Sequence, residues 1–416
     1  MIENALEEFS NDIFTYITGE TKNSRRLLVK KHSENLQTHG DFSFPNTIKS
    51  WHGLFRSGKT NTDETLLCNI GKSTSDLIQA SNNWRLRIND VMEAKDRVYM
   101  FLERPKAINV GLSEALRNNQ YISQKLLEQS LKFRVQTVDE ETNCLTYLRV
   151  KYLCSSIKNL CALCPQNDDT AAITVSSKPS VKTSDEIRVL CGAVLNAKTG
   201  VKESVISADE FISIRQNEMS LIAQHKYGVR VATDSKWKEF IAHLGESAVA
   251  FELLQAKPSS AVKINFECSS AGSSKGASFI LYNCARLETI IKTYGEKVDE
   301  GTYPPLPELN ECDLTLLTQE DEWNLIFNYI LGLPSLLSSC VDIKGRNSEF
   351  RPHQICGFLC AMVRVFSQYY RRVRILTEPR KHLLPVIFAR IHMLKILNET
   401  LKSCLRILNI KSVSQM

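Results

Sequence analysis

None of the seventeen glycines in this 416-residue chain is followed two positions later by another. The missing Gly-x-Gly excludes the dinucleotide fingerprint and the usual glycine-rich loop for a methyl donor. There are eight histidines, no two spaced as His-x-x-His or His-x-Gly-His, and neither His-Glu-x-x-His nor Gly-x-Ser-x-Gly occurs. The common metalloprotease and hydrolase sites are therefore excluded. No apolar run reaches membrane-spanning length: the most apolar stretch, Leu383 to Leu397, is broken by Arg390 and Lys395. The first residues lack a basic region followed by an apolar core, so no signal peptide and no membrane association are expected. Thirteen cysteines, an odd number scattered along the chain, read as reduced cytosolic or nuclear thiols rather than a disulfide framework, and a cytoplasmic location is expected.

What is present is ordinary globular composition, 43% hydrophobic and 24% charged, which excludes a mostly disordered chain. Its length suits two or three domains. The net charge of +6 is unevenly placed. Residues 346–416 carry thirteen Lys and Arg against three Glu, a net of +10, which leaves −4 for the rest. Such asymmetry suggests that the C-terminal part meets a polyanion, with a solvated basic helix face as the plain alternative.

Periodicity divides the chain into residues 1–118, 119–235 and 236–416. In the first part Ala5 to Ile17 reads as an amphipathic helix, followed by a basic cluster of Lys22, Arg25, Arg26, Lys30 and Lys31. Val98 to Leu102 reads as a strand, and Ala107 to Gly111 as another. In the second part Thr146 to Leu153 and Ile187 to Leu195 read as strands, and the polar run Gln166 to Asp185 as an exposed loop. The third part is helical. Phe279 to Tyr294 forms a helix that Gly295 is placed to end. Residues 299–322 hold eight acidic residues, no Lys or Arg, and three prolines, an acidic and stiffened connection. Trp323 to Leu331 restarts a helix, broken near Gly332 and Pro334. Two long amphipathic helices follow, one with apolar residues from Ile355 to Val373 and one from Leu384 to Leu408.

Gly53-Leu-Phe-Arg-Ser-Gly58-Lys59-Thr60 fits the phosphate-loop pattern, in which backbone N–H groups cradle phosphates and the Lys reaches the terminal one. Its context fails the pattern: Ile48 to His52 is a poor buried strand, and Asn61 to Glu64 is no apolar helix face. Cys161 and Cys164 form one Cys-x-x-Cys, half of what a structural zinc site needs, so packed thiols are the better reading. Two aromatic-basic clusters remain. Phe279, Tyr282 and Arg286 share a helix face, and Tyr369, Tyr370, Arg371, Arg372 and Arg374 end a basic helix that also carries Arg364. Rings offer stacking platforms for unpaired bases and Arg serves phosphates and base edges; the competing reading is core aromatics beside solvated arginines.

Read in order, the runs Phe251 to Ser260, Ser278 to Leu287, Phe366 to Leu376, and Arg390 through Ile410 to Met416 resemble the anticodon-binding helical domain of arginyl-tRNA synthetases, the DALR domain. The resemblance covers roughly residues 236–416. It implies a fold with an α+β N-terminal part, a degenerate synthetase-like remnant, followed by an all-α anticodon-binding helical bundle. By position it implies tRNA contacts from Phe279, Tyr282, Arg286, Tyr369, Tyr370 and Met416. Arg364, Arg371, Arg374 and Arg390 add basic contacts. Leu281 and Cys284 stand where synthetases often carry Gln and His. Leu190 to Ser204 resembles the strand and lysine loop that end a synthetase catalytic domain, but without the usual Lys-Met-Ser-Lys-Ser. The combination is similar to DALR-domain proteins of animals. That likeness implies a tRNA-recognition subunit with no cofactor or catalysis of its own. It would present arginine tRNA to a methyltransferase-like enzyme that makes 3-methylcytosine in the anticodon loop. The rival expectation is an enzyme, a degenerate synthetase or a phosphate-loop NTPase using Lys59.

Overall fold

The computed structural model describes residues 1–20, 28–51, 54, 65–128, 133–164, 171–178, 186–227, 235–266, 275–344 and 348–413. The motif Gly53 to Thr60 lies outside them apart from Leu54, as do Lys22, Arg25, Arg26 and Met416.

Helix α1 (Ala5–Thr18) buries Leu6, Phe9, Ile13 and Ile17 at helical spacing, as their periodicity predicts. There follow β1 (Lys30–Lys31), α2 (Leu36–His39), β2 (Phe42–Pro45), α3 (Leu66–Asn69), α4 (Thr74–Ser81), β3 (Ile88–Glu93) and β4 (Arg97–Leu102). The strands form an antiparallel sheet in the order β1-β2-β4-β3. Val98, Met100 and Leu102 of β4 are buried in alternation, the period of a half-buried strand. Ala107 to Gly111 is not a strand. It belongs to α5 (Arg104–Glu128), whose buried residues Ala107, Ile108, Gly111, Leu112 and Ala115 keep helical spacing beyond that short apolar run.

The second sheet is parallel, β5 (Phe133–Thr137), β6 (Ala171–Ser176) and β7 (Glu186–Leu190) in that order, with α6 (Leu145–Ala162) as the crossover between β5 and β6. Two expectations are corrected here. Residues 146–153 are helical, because Leu145, Arg149, Val150, Leu153, Ile157 and Leu160 are buried together on one face. The polar run 166–185 contains β6, whose Ile173 and Val175 are fully buried; their polar neighbours masked the strand. Residues 187–195 form two strands, since the chain breaks before β8 (Val194–Asn196), which pairs in parallel with β9 (Val262–Ile264). Between them come α7 (Ala208–Tyr227) and α8 (Ser235–Leu254).

Arg149 explains much of this region. Its side chain is fully buried and donates to the carbonyls of Leu253 (3.0 Å), Gly192 (2.7 Å), Ser260 (2.6 Å), Ala256 (3.4 Å) and Lys257 (3.1 Å). Three of those carbonyls belong to the end of α8 or the turn just after it, where helix carbonyls lack intrahelical partners and attract positive charge.

The rest is helical: α9 (Lys275–Asp299), α10 (Glu320–Asn324), a π-helical turn at Leu325–Ile330, α11 (Leu333–Cys340), the small hairpin β10 (Val341–Asp342) and β11 (Glu349–Phe350), α12 (Pro352–Arg372) and α13 (Leu384–Ile407). The architecture is thus an α+β first part followed by a helical bundle. Helix α9 does not stop at Gly295. It continues to Asp299 and ends at Gly301, whose φ of +74° allows the Gly301 and Thr302 N–H groups to bond back to Val298 (2.9 Å) and Lys297 (2.8 Å). The helix interrupted near Gly332 and Pro334 is seen as expected, and Pro334 opens α11.

One apolar core runs through both parts, from Ala5 to Val413. Helix α5 packs on α13, where Asn119 donates to Thr400 (3.2 Å) and accepts from Ser403 (2.8 Å). Residue 118 therefore lies inside a helix shared by the two parts, and residue 236 lies in the first turn of α8.

Candidate nucleic-acid interface

Helix α9 buries Ile280, Leu281, Cys284, Ala285, Leu287 and Ile290. Its Tyr282, Arg286, Thr289 and Thr293 recur at three- and four-residue steps and face an open groove. The opposite wall is the last turn of α12 and the extended chain after it, Tyr370 to Leu376. The groove encloses about 680 Å³. Helix α12 stops here because Val373 leaves helical geometry, its N–H closing on the Tyr369 carbonyl at 2.9 Å. Arg371, Arg372 and Arg374 thereby reach the groove on short, exposed backbone.

Arg286 sits at its centre. Its guanidinium carbon lies 4.5 Å from the ring centre of Tyr282 and 4.5 Å from that of Tyr370. One terminal nitrogen donates to the Tyr282 hydroxyl at 2.7 Å and the other to Asn283 Oδ1 at 3.4 Å. Asn283 is fully buried and anchored by its own bond to the Phe279 carbonyl at 2.8 Å. No carboxylate lies within ion-pair distance of Arg286 among the described residues, and none lines the groove. A planar cation held between rings, beside exposed arginines, suits a ligand that is both flat and anionic.

The candidate residues among those described separate by position. Tyr282, Arg286, Tyr370, Arg371 and Arg374 come together on the groove. Arg364 is exposed on α12, two turns before Arg371 and outside the groove lining. Tyr369 and Arg390 are corrections. Tyr369 is fully buried, its hydroxyl donating to Glu322 at 2.9 Å, and Arg390 Nε bonds the same buried carboxylate at 2.8 Å. In a pair of adjacent tyrosines on a helix only one can face outward, and the apolar spacing of α12 assigns Tyr369 to the core. Phe279 is half-buried against the core and contributes its carbonyl rather than its ring. Leu281 and Cys284 point into the core, with burial pushing the Cys284 thiol up to about 11, so their departure from the synthetase pattern leaves the groove unchanged.

Sequence reasoning placed Arg372 in the second aromatic-basic cluster without choosing it as a contact, and missed Asn283 and Glu322. Arg372 had a signal, its place among neighbouring arginines. The other two are single polar residues inside apolar runs, and only the fold shows what they hold.

Elsewhere, Cys161 is buried and Cys164 donates to the Leu160 carbonyl at 3.6 Å; burial pushes both thiols up, Cys164 to about 11. No group of three or more His, Cys, Asp or Glu among the described residues is arranged to hold a metal ion. No helix among them is long and apolar enough to cross a membrane. In open α/β sheets ligands lodge where strand order reverses. The strands β5, β6 and β7 run in sequence, and Asp139, just past β5, accepts from Ser176 Oγ (2.7 Å) and Ser177 N–H (2.9 Å) across the ends of the sheet. In the loop after β8, Glu203 is bonded inward to Val205 N–H (2.8 Å), Ile206 N–H (3.0 Å) and Asn196 (2.9 Å).

A helical domain with a basic, aromatic groove between two of its helices is the class that the fold and site define. Residues 280–416 match the model of the DALR anticodon binding domain family. Among curated proteins, the chain is 33% identical over 229 residues to the mouse DALR anticodon-binding domain-containing protein 3, covering 54% of this chain and 42% of that protein. It is 33% identical over 236 residues to the zebrafish protein of the same name, covering 55% and 41%. The match thus spans about two fifths of these relatives' length. Among solved structures, arginyl-tRNA synthetase from Thermus thermophilus aligns over 74% of this chain and 61% of its own, at 13% identity and a TM-score of 0.42.

Proposed function

We propose that this chain is a non-catalytic, cytoplasmic tRNA-binding adaptor. Its groove takes unpaired nucleotides of the anticodon loop of arginine tRNA, and the chain delivers that RNA to a methyltransferase-like enzyme for 3-methylcytosine formation. The observation that carries the reading is Arg286, held against Tyr282 and Tyr370 with Arg371 and Arg374 on the same groove. Rings stack on bases, guanidinium groups meet phosphates and base edges, and among the described residues no acidic side chain lines the groove itself. The relatives' name, which describes anticodon binding, agrees with this chemistry. The non-catalytic part rests on the absent Gly-x-Gly and His-x-Gly-His and on the inward-bonded Glu203 and Asp139. Residues 236–416 act as the RNA-binding unit, and the partner enzyme docks on residues 1–118.

The test is arginine tRNA binding against salt. Counterion release makes the logarithm of affinity fall linearly with the logarithm of salt, by about 0.7 per phosphate neutralised in a single strand. Replacing Arg371 and Arg374 together by Ser should flatten that slope by about 1.4. A salt-independent affinity, or an unchanged slope in the double variant, rejects the groove. Adding the chain to the methyltransferase should raise 3-methylcytosine on arginine tRNA alone; equal stimulation on other tRNAs rejects the adaptor.

A further inference from the structure

The acidic connection of residues 299–322, with eight acidic residues and no Lys or Arg, does not run free in solvent. It is fastened to the arginine-rich stretch that forms one wall of the groove. The Tyr303 hydroxyl donates to the Thr377 carbonyl, and the charge of Arg374 reaches the same phenol. At the other end of the segment, Arg372 donates to Asp321 at 3.1 Å. Arg372 is one of the residues lining the groove.

Asp321 is not placed there by chance rotation of an exposed side chain. Its neighbours on α10 are pinned on both sides. Glu320 forms a two-point ion pair with Arg104 at the start of α5. Glu322 is fully buried and accepts from both Tyr369 and Arg390. With residues 320 and 322 fixed, the Asp321 carboxylate is held 21% exposed, while its partner Arg372 is 68% exposed.

We infer that Asp321 is an internal stand-in for phosphate: it occupies Arg372 when the groove is empty, and RNA binds there only by displacing it. This rests on the reading of the groove as an RNA site. A ligand offering one weak anionic contact gains nothing by breaking the pair. A strand whose other phosphates are already placed on Arg371 and Arg374 takes Arg372 as well. The pair thus sets one fixed cost on every ligand that uses Arg372, which a strand with several phosphates in place meets and a lone anion does not.

The test measures binding of a fluorescent anticodon stem-loop of arginine tRNA to the full chain and to Asp321→Asn, Arg372→Met and the double variant. Melting temperatures are followed alongside, so that affinity is compared between folded proteins. An exposed ion pair competes modestly, so Asp321→Asn should bind about two- to five-fold more tightly. Arg372→Met should bind more weakly than the wild type. Asp321→Asn should add nothing when Arg372 is already Met, the coupling expected of a shared partner. Three results overturn the inference: unchanged affinity in Asp321→Asn, unchanged affinity in Arg372→Met, or the same gain from Asp321→Asn with and without Arg372. A comparable gain from Glu308→Gln, Glu311→Gln and Asp313→Asn together also overturns it, because general charge then suffices. The groove reading fails separately, through Tyr370→Leu and Arg371→Ser. If those leave binding intact there is no groove site; if they abolish it while Asp321→Asn is silent, only the stand-in is lost.

Discussion

The indole N–H of Trp323 donates to Asp41 at 2.9 Å, although the two residues are 282 positions apart. Asp41 accepts a second bond from the Leu102 N–H at 2.8 Å, and Trp323 stacks on Phe327, which meets Phe42 edge-on at 5.7 Å. The first sheet and the helical domain are thereby joined through buried polar and aromatic contacts. Trp323→Phe removes the donor and leaves a buried acceptor short of a partner. It should lower stability by about 1–3 kcal/mol in urea unfolding. A loss below ~0.5 kcal/mol would mean that the bond is dispensable.

The same carboxylate sets a pH dependence. Burial raises the Asp41 carboxyl to about 6, against the two hydrogen bonds and the charge of Arg104. Burial also raises Glu114 to about 7, although Arg85 stands beside it. An acid with a raised folded pKa keeps its proton after the unfolded chain has released it. Its contribution to stability is complete below about pH 4 and is lost as pH rises through the folded values. Stability should therefore fall between about pH 4.5 and 7, by on the order of 2–3 kcal/mol for each group. Asp41→Asn with Glu114→Gln should flatten the profile. A wild-type stability that rises across this window contradicts the assignment.

Two tyrosines that adjoin in sequence should behave oppositely. Tyr370→Leu should weaken RNA binding by about 1–3 kcal/mol with little change in melting temperature, because one stacking surface is lost. Tyr369→Phe should leave binding intact and lower stability by roughly 1–2 kcal/mol, through the lost bond to Glu322. Parallel anisotropy and thermal melts decide it, and the reverse pattern would mean that the outward ring is the other one.

Arg149→Met should be among the most damaging substitutions. It leaves five carbonyl contacts without the fully buried donor that joins them. A loss of at least about 3 kcal/mol is expected, read by chemical unfolding of the soluble fraction. Near-wild-type stability would show that these carbonyls find other partners.

Residues 236–416 expressed alone should not unfold cooperatively, because α13 loses Asn119 and the apolar face of α5. A sharp thermal transition for that fragment would refute the shared core. Residues 1–118 are equally poor as a fragment, since their end lies within α5.

Much of the helical domain was legible because its signals are long. Ile355 to Val373 and Leu384 to Leu408 keep helical spacing over many turns, and no competing pattern fits them. Short apolar runs misled where tertiary context decides. Thr146 to Leu153 looks like a strand until Arg149 is known to be buried, and an arginine carries no sequence mark of burial. The groove was half visible. Tyr282, Arg286, Tyr370, Arg371 and Arg374 stand out by residue type, but whether Tyr369 or Tyr370 faces outward depends on Glu322, forty-seven residues away from Tyr369.

The packing of α5 on α13 has a consequence for the order in which the protein is made. Asn119 leaves the ribosome 281 residues before Thr400, its partner. Until the helix at residues 384–407 emerges, the apolar face of α5 has no lasting cover, and the first sheet still lacks Trp323 and Phe327. At roughly 5–20 residues per second that exposure lasts on the order of tens of seconds. The chain is therefore a candidate for chaperone holding during synthesis, and a ribosome stalled before α13 should release a product that aggregates rather than a smaller folded protein.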